Sequence, residues 1–216
     1  MGNIIRYFAY FTPTSEGLMQ APSFKMSPKD LINIGIFLVL YFMTMAVNAA
    51  AVAGPIWIYL ALVLAAPLGG IVYQLFLTRV SHAGMVFVFG VIFGAFISMI
   101  HGWQTMIFVV LFSAAAEVII WLGQYRSRVA NFWAYPVYQL WCFGPIVPIF
   151  VNARAYSQML IENRGKTQQY AQQVVDLSHN WLFLAAIVGL VLGLSILGSW
   201  IGQRILRKHF EKAGII

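Results

Sequence analysis

The chain has 216 residues, of which 61% are hydrophobic and 9% are charged. Soluble domains are typically about 45–50% apolar and about 25% charged, so the composition excludes an ordinary soluble globular domain. The mean hydropathy of +0.81 indicates a polytopic membrane protein. The formal net charge of +7 would suggest a nucleic-acid partner in a soluble chain. In a membrane protein, an excess of Lys and Arg in the cytoplasmic loops explains it, and we expect no nucleic-acid binding.

Six apolar segments follow one another, each near the roughly 20 residues that a membrane-spanning helix needs. They cover about 31–52, 56–78, 85–99, 105–122, 132–152 and 181–203. The sequence therefore predicts an all-α, polytopic membrane protein with six transmembrane helices, formed by residues 30–216. Residues 1–29 contain too many turn formers and polar groups to cross a membrane and are interpreted as a cytoplasmic or interfacial lead-in. Ser27, Pro28 and Asp30 are typical of a helix start.

Two features interrupt this pattern. Residues 152–180 are polar and amphipathic and form the only long internal loop that we predict. The segment Gly-Pro-Ile-Val-Pro at 144–148 lies within the fifth span, where its two prolines remove backbone donors and bend a helix.

The distribution of basic residues predicts the orientation. With six spans, ten of the thirteen basic residues lie on the same side as both termini. They are Arg6, Lys25, Lys29, Arg79, Arg126, Arg128, Arg204, Arg207, Lys208 and Lys212. The positive-inside rule then places both termini in the cytoplasm of a cell-membrane protein. The connections after spans one, three and five face outward.

Candidate ligand-binding residues lie in or near these outer connections. Trp provides a flat apolar wall, and His can form hydrogen bonds or bind a metal. The predicted substrate-binding set is Asn48, Met99, His101, Trp103, Gln104, Tyr138, Trp141, His179, Asn180 and Trp181. The alternatives are that the Trp residues anchor the protein at the membrane interface, that the His residues are polar caps, and that the polar residues in the spans form interhelical hydrogen bonds.

Glu117 is the only acidic residue within a predicted span, where it has either a structural role or a role as a proton site. Glycines recur at four-residue spacing, as in Gly90 with Gly94 and Gly189 with Gly193, which allows close helix packing or binding of a partner.

Enzymatic and metal-binding functions find little support. The chain lacks a His-Glu-x-x-His motif, a Gly-x-Ser-x-Gly elbow and a phosphate-binding loop. Its single cysteine, Cys142, excludes a thiolate cluster within this chain. We therefore expect a protein that is not an enzyme, with no resident cofactor and no metal in the apo chain. A membrane enzyme using Glu117 or His101 as an acid or base is a minor alternative.

Four segments resemble one known family. They are Ser-Pro-Lys-Asp-Leu-Ile-Asn-Ile-Gly-Ile-Phe at 27–37, His-Gly-Trp at 101–103, Leu-Trp-Cys-Phe-Gly-Pro-Ile-Val-Pro at 140–148, and Arg-Lys-His-Phe-Glu-Lys-Ala-Gly-Ile at 207–215. The chain is similar, over about 27–215, to the Trep_Strep integral membrane proteins, which are regarded as substrate-binding (S) components of energy-coupling factor (ECF) transporters.

This resemblance implies a subunit that captures a scarce nutrient on its outer face. It also implies a transmembrane coupling subunit and two ABC-type ATPases as partners. A docking strip on the first helix would include Gly35 and Val39, where Val replaces the second small residue of the family pattern. Haem or a related iron compound is the leading substrate that the resemblance suggests, with His101 and His179 as iron ligands. The alternative is a structural or assembly subunit that binds no solute.

Overall fold

The computed structural model describes residues 25–47, 53–80 and 82–212, and within them the regular structure is helical. The helices are α1 (Pro28–Thr44), α2 (Trp57–Leu77), α3 (Met85–His101), α4 (Trp103–Leu122), α5 (Arg128–Gln139), α6 (Val147–Val151), α7 (Ala153–Glu162), α8 (Gln168–His179) and α9 (Trp181–Lys212). A 3₁₀ segment, Leu140–Ile146, joins α5 to α6.

Several helices are long and apolar enough to cross a membrane. Within the described residues they are Pro28–Val47, Trp57–Leu77, Trp103–Leu122, Arg128–Val151 and Trp181–Lys208. The apolar helix α3 has 17 residues and is about 25 Å long at 1.5 Å per residue. The protein is therefore an all-helical, multi-pass membrane protein, and a sixth crossing by α3 stays a prediction.

The predicted start of the first helix is confirmed. The Ser27 hydroxyl accepts from the Asp30 N–H, and the Asp30 carboxylate accepts from the Ser27 N–H at 2.7 Å, with Pro28 in the first turn. These reciprocal bonds satisfy backbone donors that have no partner within the helix. The helix α1 ends at Thr44, before the predicted limit of 52, and residues 48–52 lie outside the described residues.

The predicted loop at 152–180 is instead a pair of helices, α7 and α8, which we call the hairpin. Asn152 Oδ1 accepts from the Ala155 N–H, and Thr167 Oγ1 accepts from the Tyr170 N–H, so each helix has a side-chain cap. Each helix also buries one face, including Tyr156 and Leu160 on α7 and Ala171 and Val174 on α8. The segment was predicted as a loop because it is polar, but its amphipathic spacing forms helices.

The predicted tail after residue 203 is likewise helical, since α9 continues to Lys212. Its second half packs closely on α2. A Cβ on Gly198 would lie 2.6 Å from the Pro67 carbonyl oxygen, and a Cβ on Gly70 would lie 2.7 Å from the Gly198 carbonyl carbon. Glycine is required at both positions because the two backbones occupy the space of a side chain.

The predicted break in the fifth span is present. α5 ends at Gln139, and the chain continues as the 3₁₀ segment, which contains Pro145, before α6 begins. A Cβ on Gly144 would lie 2.8 Å from Thr105 Cα, so the broken segment lies directly against α4.

Aromatic side chains fill the bundle interior. Tyr73 and Tyr138 stack at 4.9 Å between ring centroids, and Phe76 and Phe89 stack at 4.6 Å. Offset and edge-to-face aromatic pairs add stabilisation beyond the area that they bury. This core links α2, α3 and α5.

The bundle has two distinct ends. The first, which we call the basic end, contains the starts of α1, α3 and α5 and the ends of α2, α4 and α9. The His82 Nδ1 lies 3.0 Å from Asp30 Oδ2, and Gln74 Nε2 donates to the Asn131 carbonyl at 2.8 Å, which brings these termini together. At the second, the hairpin end, the Tyr59 hydroxyl near the start of α2 donates to the Val174 carbonyl of α8 at 2.7 Å.

Candidate functional site

A cavity of about 480 Å³ opens at the hairpin end. It lies between the α3–α4 turn, the broken fifth segment and α7. Its volume is within the roughly 300–1,000 Å³ of small-molecule sites. The lining residues are Ile100, His101, Gly102, Gln104, Pro145, Pro148, Val151, Asn152, Ala155, Tyr156, Met159, Asn163 and Arg164. We call it the hairpin-end cavity.

The α3–α4 turn provides one wall. Gly102 has φ +93°, a backbone conformation that glycine adopts without strain, and it ends α3 and begins α4 in a single residue. The turn places His101 before it and Gln104 after it, and both side chains line the cavity. Imidazole and carboxamide groups are the polar contacts that orient a ligand in such a site.

The broken fifth segment provides a second wall. Pro145 and Pro148 both line the cavity, together with Val151 at the end of α6. Because proline cannot continue a regular helix, the chain changes to 3₁₀ geometry beside the cavity. This wall is mainly apolar.

The hairpin provides the third wall and the entrance. Tyr156 is buried on the inner face of α7. Burial raises the pKa of its hydroxyl group above the ordinary value, with a smaller opposing effect of Arg164. The Tyr156 hydroxyl therefore stays protonated at neutral pH and can donate a hydrogen bond. Arg164 is exposed in the α7–α8 turn, beside Gly165, whose φ is +59°.

The electrostatics of the hairpin-end cavity favour an acidic ligand. Among the described residues, Arg164 is the permanently charged one in the lining, and none of those that line the cavity is acidic. Within the described part of the chain, Arg164 forms no salt bridge. A guanidinium without an acidic partner is suited to a carboxylate or phosphate, with which it can form two parallel hydrogen bonds.

Two of the predicted substrate-binding residues, His101 and Gln104, line this cavity. Met99, Trp103 and Trp181 do not. Their exposed fractions are 85%, 67% and 73%, on the outer surface of the bundle. This position matches the alternative interpretation of the two Trp residues as anchors at the membrane interface.

His179 and Asn180 lie where α8 meets α9, and neither lines the cavity. His179 Nδ1 is 2.8 Å from the Val175 carbonyl oxygen in its own helix, and Asn180 Oδ1 accepts from the Phe183 N–H at 3.1 Å. The contact of His179 matches its alternative interpretation as a polar cap, and Asn180 caps the start of α9. The cavity contains His101 but not the predicted pair of histidines.

Tyr138 and Trp141 are buried inside the bundle. Trp141 Nε1 donates to the Tyr41 hydroxyl at 3.1 Å, and that hydroxyl donates to Gln139 Oε1 at 2.8 Å. These contacts match the alternative interpretation of Trp141, in which it forms hydrogen bonds between helices. Asn48 lies outside the described residues.

The sequence reasoning missed the cavity residues that α7 and its two ends contribute, and it missed Arg164 in the α7–α8 turn. Asn152, Tyr156, Met159 and Asn163 follow one another at intervals of three or four residues, which places them on one face of a helix. This spacing is the signal in the sequence that indicates a helix, whereas the prediction of a loop rests on the polar composition of 152–180.

Glu117 has a structural role. Its carboxylate accepts from the backbone N–H groups of Gly84, Val86 and Phe87 at 2.8–3.0 Å, and from the Tyr125 hydroxyl. It thus caps α3 from the neighbouring helix α4, and negative charge is favourable at a helix N-terminus.

Gly35 and Val39 lie on the exposed face of α1, opposite the buried Asp30, Ile34 and Leu38. A Cβ on Gly35 would have no neighbour within 4 Å. The face is open to lipid or to another protein. In the described residues, no group of three or more His, Cys, Asp or Glu side chains is arranged to hold a metal ion.

A comparison with protein families matches residues 28–212 to the family described as "Hypothetical bacterial integral membrane protein (Trep_Strep)". The chain belongs to the Trep_Strep family. No curated protein and no solved structure matches it. Membership of Trep_Strep agrees with the apolar helices in identifying an integral, multi-pass membrane protein.

Proposed function

We propose that this Trep_Strep protein is the substrate-binding S component of an ECF-type importer, and that the hairpin-end cavity is its nutrient site. The observation that carries the proposal is the cavity itself, which three separate parts of the chain line with both apolar residues and polar groups such as His101, Gln104 and Arg164. In the proposed orientation, with both termini cytoplasmic, this cavity faces outward. The chain is not an enzyme, and its partners hydrolyse ATP.

The hairpin is the proposed lid. It is connected to the start of α2 by two hydrogen bonds, from the Tyr59 hydroxyl to the Val174 carbonyl and from the Tyr170 hydroxyl to the Gly54 carbonyl. Both are bonds between neutral groups, each worth about 1 kcal/mol. Opening the hairpin breaks both bonds and exposes apolar residues that it buries, such as Leu160 and Val174, so ligand binding has to offset both costs.

Haem or a related iron compound remains the proposed substrate. His101 would bind the iron, and Arg164 would pair with an acidic substituent. The contacts of His179 within its own helix make it unnecessary in this arrangement, so we propose a single histidine ligand in place of the pair.

Ligand capture is tested with the full chain purified in mild detergent and titrated with hemin. We expect a shifted Soret band that His101→Ala removes and His179→Ala preserves. Arg164→Gln should weaken binding about tenfold, the effect of losing a charged hydrogen bond. Arg154→Gln is the matched control, since Arg154 lies exposed on the same hairpin but does not line the cavity.

Equal effects of His101→Ala and His179→Ala would contradict the proposed site. If hemin does not bind, mass spectrometry of the small molecules retained by the protein tests the carrier function separately. A retained molecule that Arg164→Gln releases would support the carrier function with a ligand other than haem.

Docking on a transmembrane coupling subunit is proposed to use the open face of α1. Gly35→Leu should reduce co-purification of the coupling subunit and ATPases from the source bacterium. A side chain at this position has no neighbour within this chain, so the loss would arise at the interface with the partner. Gly189→Leu is the matched control, since a Cβ at Gly189 also has no neighbour within 4 Å. Equal co-purification by the two variants would contradict a docking role for α1. The absence of ATPases from a preparation of the unsubstituted chain would favour a structural or assembly subunit.

A further inference from the structure

A second cavity, of about 910 Å³, lies at the basic end between α2, α5 and the last turns of α9. Arg128, Arg204, Arg207 and Lys208 all line it, and no acidic residue is among the described residues that do. Its other lining residues are Gln74, Thr78, Asn131, Trp200, Gln203 and Leu206. We call it the basic-end cavity.

Two glutamines hold the helices around this cavity in place. Buried Gln74 uses Nε2 to donate to the Asn131 carbonyl at 2.8 Å and to Ser199 Oγ at 3.2 Å. Gln203 Nε2 donates to the Arg128 carbonyl at 2.8 Å and to Gln74 Oε1 at 3.3 Å. These bonds connect α2, α5 and α9, so they fix the relative positions of the helices that carry the basic side chains.

Arg128, Arg204 and Lys208 place three cationic groups around one concave site, and their positive potential attracts an anion. Arg204 has a further contact, since its guanidinium lies 5.0 Å from the centre of the Trp200 ring. This cation–π contact orients the guanidinium beside the cavity. Phosphate has the charge and the acceptor oxygens that such a group of donors binds.

The surface beside the cavity indicates that the anion carries an apolar part. Leu197, Trp200 and Arg204 are spaced at i, i+3 and i+7, so they form one stripe on α9. Leu197 and Trp200 are 41% and 49% exposed. Both lie closer than Arg204 to the middle of the apolar helix. The stripe therefore places an exposed apolar surface directly next to the basic groups.

We propose that the basic-end cavity binds the phosphate group of an anionic phospholipid, whose acyl chains lie along the Leu197 and Trp200 face of α9. Basic pockets between transmembrane helices bind acidic lipid headgroups in this way. The lipid bridges α2, α5 and α9 at the end of the bundle opposite the hairpin-end cavity. The proposal does not depend on the nutrient or on the importer.

The test uses the full chain, delipidated in detergent, with phosphatidylglycerol as the probe and phosphatidylcholine with the same acyl chains as the neutral comparison. Native mass spectrometry counts the lipids that the protein retains. We expect selective retention of phosphatidylglycerol, with about fivefold weaker binding for Arg204→Gln or Lys208→Gln, the effect of removing one basic residue near an anionic lipid. Arg204→Lys, which keeps the charge, should retain most of the binding.

Arg79→Gln is the matched control, since Arg79 is an exposed basic residue at the same end that does not line the cavity. Equal losses for Arg79→Gln and Arg204→Gln would overturn the proposal, as would equal retention of the two lipids. Displacement of phosphatidylglycerol by millimolar inorganic phosphate would also overturn it, because the ligand would then be a soluble phosphate. The helical circular dichroism of each variant verifies that it is folded.

Discussion

The basic end and the hairpin end of the bundle are held together by different kinds of contact. At the basic end, the Glu117 carboxylate accepts from three backbone N–H groups and a tyrosine hydroxyl, and the Gln74 carboxamide connects three helices. At the hairpin end, two tyrosine hydroxyls each donate to one carbonyl of the adjoining segment. A hydrogen bond to an ionised group is roughly twice as strong as one between neutral groups. The polar contacts therefore hold the basic end more firmly, whereas the hairpin depends mainly on the apolar residues that α7 and α8 bury.

The largest effect is expected where backbones touch at the α2–α9 interface. Gly198→Ala should lower the free energy of unfolding by about 2–3 kcal/mol, because the new methyl group collides with the backbone at Pro67. Thermal unfolding in detergent, followed by circular dichroism, measures the change. The control Gly189→Ala, on the open face of the same helix, should instead leave stability unchanged or raise it by up to about 1 kcal/mol. Equal destabilisation by both substitutions would contradict the packing described here.

A smaller effect is expected at the α3 cap. Glu117→Gln should cost about 2 kcal/mol, because the carboxamide loses the charge and presents an N–H₂ group to backbone donors. Hydrogen exchange should increase first in the opening turn of α3, at Gly84, Val86 and Phe87. If exchange there is unchanged, Glu117 does not cap the helix and its role as a proton site is favoured.

The smallest effect on stability is expected at the hairpin. Tyr59→Phe removes one neutral hydrogen bond and should cost about 1 kcal/mol, while the ring keeps its edge-to-face contact with Phe183. Exchange should increase in α8 and not at the basic end. A loss of stability as large as that of Glu117→Gln would show that the hairpin is as firmly held as the base, and would exclude a lid.

The sequence predicted much of the fold because hydrophobicity is a strong signal in a membrane protein. The apolar segments gave the helices, Ser27 and Asp30 predicted a capping box, and the prolines of the fifth span predicted its break. The polar composition of 152–180 does not by itself indicate whether the segment is a loop or helical. Its helices depend on caps at Asn152 and Thr167 and on burial against the bundle, which composition does not reveal.

The candidate site could be predicted only in part, for a physical reason. His101 and Gln104 flank a glycine turn that is visible in the sequence, and both line the hairpin-end cavity. Trp103 is adjacent in sequence but lies outside it, because neighbouring residues on a helix point in directions about 100° apart.

The sequence by itself determined that this chain is an all-helical membrane protein, because the partition of apolar segments into lipid depends on composition and length. Only the tertiary structure decided which polar groups meet. It placed Glu117 on the start of α3, Arg164 at the hairpin-end cavity and Arg204 at the basic-end cavity. Such contacts depend on how helices far apart in sequence are positioned and rotated against one another, and the close approach of glycine backbones fixes that arrangement.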